Sequence, residues 1–336
     1  MRFLLIFSVL LFFSGCGVKV FEPQKTEKKV LKNKGVYKDL NEYTKNTMTF
    51  RELRLKYVKK LNYLDDGIRG EYVYYDEKGD FLKKFKKINK DLAARGKKLY
   101  VLSLKTVYEL PYVIFSATKK GNDVAVVFEN GKYGLYDLNA KKMKFVFDGD
   151  LVLSVRYLHA SPLFYKDLIL YPLLSGNVAV VDANAGKFIR TLNISQNQFN
   201  DNVIFLKIVN NQLFMATPSK LVLFNPSFLI DYKADIKHII DYNGFIYIFT
   251  ADGQIIKLDS NLKEIKKIKL PYASFYAPGV CKGDIWSVER EGYLLKITPD
   301  LNVTVYTGNS FDTTSNSELK IDGCKIYNGD KVFMIE

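Results

Sequence analysis

From about residue 70 onward one unit recurs along the chain, and a recurrence of this length restricts the fold more than any other feature. Its centre is a strand ending on a polar turn residue, followed by a second strand. The instances are EYVYYDEKGDFLKKFKKI at 71–88, KLYVLSLKTVYEL at 98–110, KYGLYDLNAKKMKFVF at 132–147 and NVAVVDANAGKFIRTL at 177–192. KLVLFNPSFLIDY at 220–232, QIIKLDSNLKEIKKIKL at 254–270 and YLLKITPDLNVTVY at 293–306 continue the series. The turn residues Asp76, Ser103, Asp137, Asp182, Asn225, Asp259 and Thr298 lie 27, 34, 45, 43, 34 and 39 residues apart, 37 on average. That period is the length of a propeller blade of three to four strands. A β-solenoid needs shorter and stricter repeats. Asp and Asn suit the turn because their side chains can satisfy backbone groups there.

Most units follow a further short apolar strand: DVAVVF at 123–128, DLILYPL at 167–173, QLFMAT at 212–217, FIYIFT at 245–250 and DIWSVE at 284–289. The 23 Tyr and 24 Phe reinforce the strand reading, since aromatic side chains fit a pleated, half-buried surface. The chain ends on GDKVFMIE at 329–336, which reads as the upstream strand of a unit lacking its second half. The unit at 71–88 has that half and lacks a clear first strand. Joining the two would close a ring and leave no free sheet edge. The expected fold is therefore all-β, a β-propeller of about seven four-stranded blades over residues 67–336, closed by the C-terminal strand pairing with the N-terminal blade.

The segment before the repeats carries addressing information. Arg2 is followed by an apolar run of eleven residues, Phe3 to Phe13. As a helix this rises about 16 Å, too short to span a hydrocarbon core of roughly 30 Å, so residues 1–15 read as a secretion signal. Phe13-Ser14-Gly15-Cys16 resembles the bacterial lipobox, in which an apolar residue and two small ones precede the cysteine. The resemblance implies cleavage before Cys16, acylation of that cysteine, and durable attachment to a membrane through several acyl chains. Gly17 stands where an Asp would commonly retain a lipoprotein in the inner membrane, so delivery to the periplasmic face of the outer membrane is expected, with the cell surface as the alternative. Residues 16–66 follow as the lipidated Cys and a Lys-rich tether. From 17 to about 45 it has eight lysines against four acids, a composition expected to stay extended and hold the domain away from the lipid. Residues 46–66 fit a helical stripe and a strand alternation equally.

AVVDANAGKF at 179–188 resembles the repeat of PQQ-like β-propellers, with Asp182, Ala183, Gly186 and Lys187 in the places of its turn. Together with the signal, this resembles the BamB class of lipoproteins, scaffolds of the outer-membrane β-barrel assembly machinery. The resemblance covers about 70–336 and raises eight blades as an alternative count. Trp286 is the only tryptophan, so Tyr, Phe and Leu must lock blades that in this superfamily commonly carry Trp. Quinone-dependent relatives stack the cofactor on Trp and commonly use adjacent cysteines. This chain has one Trp and no adjacent pair, so no cofactor is expected.

The remaining side chains name no reaction. His159 and His238 fall in different repeats, neither with a second ligand at metal-binding spacing. No nucleophile-elbow, zinc-protease or phosphate-loop motif occurs. Asp148 and Asp150 read as turn residues. The net charge of +14 comes from lysines spread along the chain, which favours general attraction to anionic surfaces over nucleic acid. Cys281 and Cys324 precede similar strands. An oxidising compartment allows one disulfide between them, and two buried thiols are the other reading. Asp300-Leu301-Asn302-Val303-Thr304 matches an extended bacterial sequon, so Asn302 is a candidate glycosylation site or a chance match within a turn. The function expected is a non-enzymatic scaffold with envelope proteins as partners, such as the barrel-assembly machinery. The rivals are a ligand-binding or enzymatic propeller and a surface adhesin.

Overall fold

The computed structural model describes residues 19–33, 71–75, 81–89, 91–104, 106–150, 159–195, 201–225, 228–313, 319–328 and 331–336. Cys16, the segment 46–66 and Asp76 lie outside them. Two short strands come first, β1 (Glu27–Lys28) and β2 (Lys32–Asn33). The first blade holds β3 (Glu71–Tyr75), β4 (Phe81–Lys87), β5 (Leu92–Arg95), β6 (Lys98–Val101) and β7 (Thr106–Glu109). The second holds β8 (Ile114–Lys120), β9 (Asp123–Phe128), β10 (Tyr133–Asp137) and β11 (Lys142–Phe147). The third holds β12 (Leu163–Tyr165), β13 (Leu168–Pro172), β14 (Val178–Asp182) and β15 (Lys187–Leu192). The fourth holds β16 (Phe205–Val209), β17 (Gln212–Thr217), β18 (Lys220–Asn225) and β19 (Phe228–Lys233). The fifth holds β20 (Ile236–Tyr242), β21 (Phe245–Thr250), β22 (Gln254–Leu258) and β23 (Glu264–Lys269). The sixth holds β24 (Phe275–Cys281), β25 (Asp284–Glu289), β26 (Leu294–Ile297) and β27 (Val303–Thr307). The seventh holds β28 (Leu319–Asp322), β29 (Lys325–Asn328) and β30 (Lys331–Met334).

Each blade is an antiparallel meander, and the described residues form seven blades of a β-propeller. Opening strands of neighbouring blades pack on one another, β8 on β12, β20 on β24 and β24 on β28, which makes them the inner strands. The second strands DVAVVF, QLFMAT, FIYIFT and DIWSVE are buried at all but their first residue. They read as mostly apolar runs, with Thr217, Thr250, Ser287 and Glu289 as buried polar exceptions, because a blade is covered on both faces. Six apolar clusters join each sheet to the next, from Leu99 and Phe128 between blades 1 and 2 to Trp286 and Phe333 between blades 6 and 7. Each fully buried large side chain contributes about 1.5–3 kcal/mol.

At four positions the recurring polar residue closes its turn as expected, whereas Ser103 instead donates its N–H and Oγ to the Asp91 carboxylate at 2.7 and 2.9 Å. Asp137 Oδ1 accepts the backbone N–H groups of Asn139 and Ala140 at 2.8 and 2.9 Å. Asp182 does the same for Asn184 and Ala185 at 2.9 and 2.7 Å, and Asp259 for Asn261 and Lys263 at 2.8 and 2.9 Å. Thr298 Oγ1 substitutes in blade 6, accepting from the Asn302 N–H at 3.1 Å.

Two turn glycines separate backbone strain from crowding. Gly253 (φ +85°) and Gly292 (φ +87°) occupy equivalent hairpins. A Cβ on Gly253 would lie 2.3 Å from the Leu270 carbonyl oxygen, whereas on Gly292 the nearest atom is 3.9 Å away. Gly292→Ala therefore loses about 1–2 kcal/mol from the left-handed conformation alone. Gly253→Ala loses about 2 kcal/mol more, as for other overpacked sites. Equal denaturation midpoints for the two variants would contradict this account.

The ends of the chain depart from the sequence expectation. The hairpin β3–β4 is not the missing half of the last unit, because it heads the sheet of blade 1. The C-terminal strand β30 instead pairs with β2, Lys32 opposite Met334 and Asn33 opposite Phe333. The fourth strand of blade 7 thus comes from within the stretch expected to be a tether. GDKVFMIE reads as the upstream strand of a unit, whereas β30 is the third strand of its blade, after β28 and β29.

Candidate docking surface and anchoring strap

Residues 19–33 form a strap across the rim of blades 6 and 7. Its lysines do not keep it in solution, because two large apolar residues punctuate them. Phe21 is 5% exposed and lies in the core between blades 5 and 6, edge-on to Tyr293 with ring centroids 5.9 Å apart. Leu31 is 6% exposed and enters the core between blades 6 and 7. Between them β1 runs parallel to β27, Glu27 opposite Tyr306 and Lys28 opposite Thr307. Asn309 clamps the passage, donating to the Lys29 carbonyl at 2.7 Å and accepting from the Leu31 N–H at 2.8 Å. The Lys29 ammonium stands 5.3 Å from the ring centres of both Trp286 and Tyr306, which are themselves stacked. Such cation–π contacts contribute about 0.5–1 kcal/mol near a surface. The signal for this strap in the sequence was Phe21 and Leu31, apolar among lysines, without any periodicity.

Cys281 and Cys324 are joined by a disulfide, between the end of β24 and the turn from β28 to β29. The bridge therefore ties the inner strands of blades 6 and 7, while the strap ties their outer strands. Cys281 is buried, and its carbonyl accepts from the Trp286 indole at 3.3 Å. Asn302 is exposed at the turn between β26 and β27, where its carbonyl accepts the Thr298 N–H at 3.0 Å. His159 and His238 are far apart in the blade order. Burial lowers the pKa of His159 to about 4. Burial, with Lys237 beside it, lowers that of His238 to about 3. Both stay neutral near pH 7. Among the described residues no three His, Cys, Asp or Glu side chains gather as a metal site.

A polar group gathers where blades 5 and 6 meet, beside the start of the strap. The irregular pairing of β20 between Ile236 and His238 leaves Lys237 out of the ladder. A bulge of this kind re-aims the side chain. Its Nζ donates to Ser274 Oγ at 2.6 Å and lies 4.2 Å from the Tyr276 ring centre. Burial lowers its pKa to about 8, with Glu289 opposing. Glu289 is fully buried, accepts the Ser274 and Glu291 N–H groups at 3.0 and 2.7 Å, and has its pKa raised by burial.

The rim differs between blades. β1 and β2 cover the outer edges of blades 6 and 7, whereas β7 ends the sheet of blade 1, and β11, β15, β19 and β23 end those of blades 2 to 5. These four carry exposed apolar side chains, among them Val146, Phe188, Ile189, Leu229, Ile230 and Ile265. Phe188 and Ile189 are 47% and 50% exposed and Leu229 is 51% exposed, values that set them apart from the buried strands behind them. Lysines flank them, as in KMKFVF of β11 and EIKKIK of β23.

No known protein-family model matches the chain. Plasminogen-binding protein PgbB of Helicobacter pylori strain J99 is 31% identical over 198 residues, 58% of this chain and 36% of that protein. The counterpart from strain 26695 is 30% identical over the same shares. The chain thus spans about a third of the length of the curated relatives it matches. Among solved structures, BamB from Moraxella catarrhalis superposes with a TM-score of 0.60 at 13% identity, over 76% of this chain and 89% of that one. The C-terminal WD40 domain of Sif2 gives 0.57 at 12% identity, over 80% and 81%. These likenesses are of fold: the chain is a propeller of the kind seen in BamB and WD40 domains.

Proposed function

We propose that the protein is a lipid-anchored scaffold of the cell envelope that docks other proteins on the rim of blades 2 to 5. The observation that carries this reading is the contrast along the rim. Two blades have their outer strands capped by the chain's own strap, and of the five with open strand edges, blades 2 to 5 add exposed Val, Phe, Ile and Leu. An open edge can take an extended segment of another protein by main-chain hydrogen bonds, with alternate side chains supplying selectivity. Lysines beside those edges discourage indiscriminate self-pairing and favour partners with acidic flanks. The partner class is an extended segment of an envelope protein, with the barrel-assembly machinery as the specific candidate. The likeness to BamB supports that candidate through the fold.

A photoreactive residue placed at position 188 or 229 in growing cells tests this. The expected result is an adduct containing a barrel-assembly subunit, found at these sites and not at position 302, on the turn between β26 and β27. Equal adducts at all three sites, or none from 188 and 229, would count against rim docking. A second reading, capture of a host protein at the cell surface, is favoured by the relative whose name records plasminogen binding. Cleavage by trypsin added to intact cells would support that reading over the periplasmic one. Acylation of Cys16 and a glycan on Asn302 belong to the same proposal, and mass spectrometry of the mature protein reads both.

A further inference from the structure

We infer that the end of blades 5 and 6 carrying Tyr272 rests on the lipid headgroup layer, so that the propeller lies against the membrane instead of standing off it. This deepens the scaffold reading and rests on acylation of Cys16. The argument is one of chain length. Lys19 is already seated, its Nζ 5.6 Å from the Tyr272 ring centre, and Phe21 is locked in the core between blades 5 and 6. Only three residue steps separate Cys16 from Lys19, and fully extended they span about 11 Å. The acyl chains must lie in the hydrocarbon, so Cys16 sits at the headgroup level. The Lys19 backbone is thereby held within about 11 Å of the acylated cysteine, and Tyr272, in contact with the Lys19 ammonium, is held close to the surface with it. The lysine-rich stretch does not act as a spacer, because residues 19–33 of it are themselves the docked strap.

The chemistry of that end fits the location. Tyr272 is 55% exposed and Val20 is 38% exposed, side by side with Lys19. Tyrosine is favoured at membrane–water interfaces, and lysine can lay its stem on apolar surface while its ammonium stays in water among phosphates. The turn holding Tyr272 is stiff: the Ala273 N–H donates to the Leu270 carbonyl at 3.1 Å, and the Arg290 N–H donates to the Ser274 carbonyl at 3.0 Å. A rigid end on a short leash fixes the orientation of the whole disc. The open rim strands of blades 3 and 4 are on other blades and remain free for protein partners.

The test uses the mature acylated protein in vesicles of phosphatidylethanolamine and phosphatidylglycerol. p-Benzoylphenylalanine is placed at position 272 or at position 188, both exposed aromatic sites. The expected result is phospholipid adduct at least five times more abundant from 272 than from 188. Equal labelling, or more from 188, overturns the inference. Mass spectrometry of the N-terminal peptide reports acylation separately, and rim docking is read by protein adducts from 188, so the three claims fail independently.

Discussion

A chain carrying both Phe21→Ala and Leu31→Ala is expected to unfold with about 6 kcal/mol less free energy than the native protein, since truncating a buried Phe or Leu costs about 3–5 or 2–5 kcal/mol. The two side chains sit in different cores, Phe21 between blades 5 and 6 and Leu31 between blades 6 and 7, so their losses should nearly add. A loss of that size is comparable to the whole stability of many domains. Trp286 reports the event. It is 4% exposed and stacked on Tyr306 beneath Lys29, and it is the only tryptophan. Lifting the strap hydrates its indole, so emission should shift to the red before global unfolding. Asn309→Ala, which removes the clamp on Lys29 and Leu31 and leaves both cores filled, should give a smaller loss of about 1–3 kcal/mol. A double variant as stable as the native chain, with unchanged Trp286 emission, would mean that the strap contributes nothing to the fold.

The strap also marks where sequence reasoning ended. The second, third and fourth strands of most blades were legible for a simple reason. They are apolar runs buried on both faces, or strands meeting at an Asp whose carboxylate closes the turn, as at Asp137, Asp182 and Asp259. The inner strands were not legible. FYAPGVC of β24 is mostly half-buried, carries Pro278 and Gly279, and breaks register between Tyr276 and Gly279. IKHIIDY of β20 is likewise mostly half-buried, and its first pairing is also irregular. Neither has a clean period of two, because such strands answer to neighbouring blades and not to one core. Closure was misplaced for a related reason. β1 and β2 are two residues long, and strands that short leave no pattern to read. Their hold comes from Phe21, Leu31 and the Asn309 clamp, contacts across more than 270 positions in the chain. The pairing of Cys281 with Cys324 was readable as one of two options, since each precedes a similar strand. The rim was hidden because exposed Phe188 and Leu229 look like ordinary strand residues until the edge beside them is known to be open.

Breaking the Cys281–Cys324 bridge with Cys281→Ser and Cys324→Ser is expected to remove about 4 kcal/mol, the loop-closure value for its separation of 43 residues. The same change should appear in the native chain as a drop in Tm when a reductant is added, with no effect of reductant on the double serine variant. Native Tm values identical with and without reductant would show that the bridge does not form or does not matter. The loss should be local in origin. The three strands of blade 7 supplied by the C-terminal part of the chain are four residues each. Beyond the packing of β24 on β28 and the apolar cluster they share, two devices fasten that blade to blade 6: the bridge on its inner side and the strap on its outer side. Once one is gone, blade 7 can detach as a unit, and the second device then has less left to restrain. The bridge and Leu31 should therefore couple. Removing both is expected to cost less than the two separate losses combined, by about 1–3 kcal/mol. The bridge and Phe21, which holds the strap to the blade 5–6 core instead, should combine with a smaller deficit. A coupling equal for Phe21 and Leu31 would mean that blade 7 does not detach on its own, and that the ring opens only as a whole.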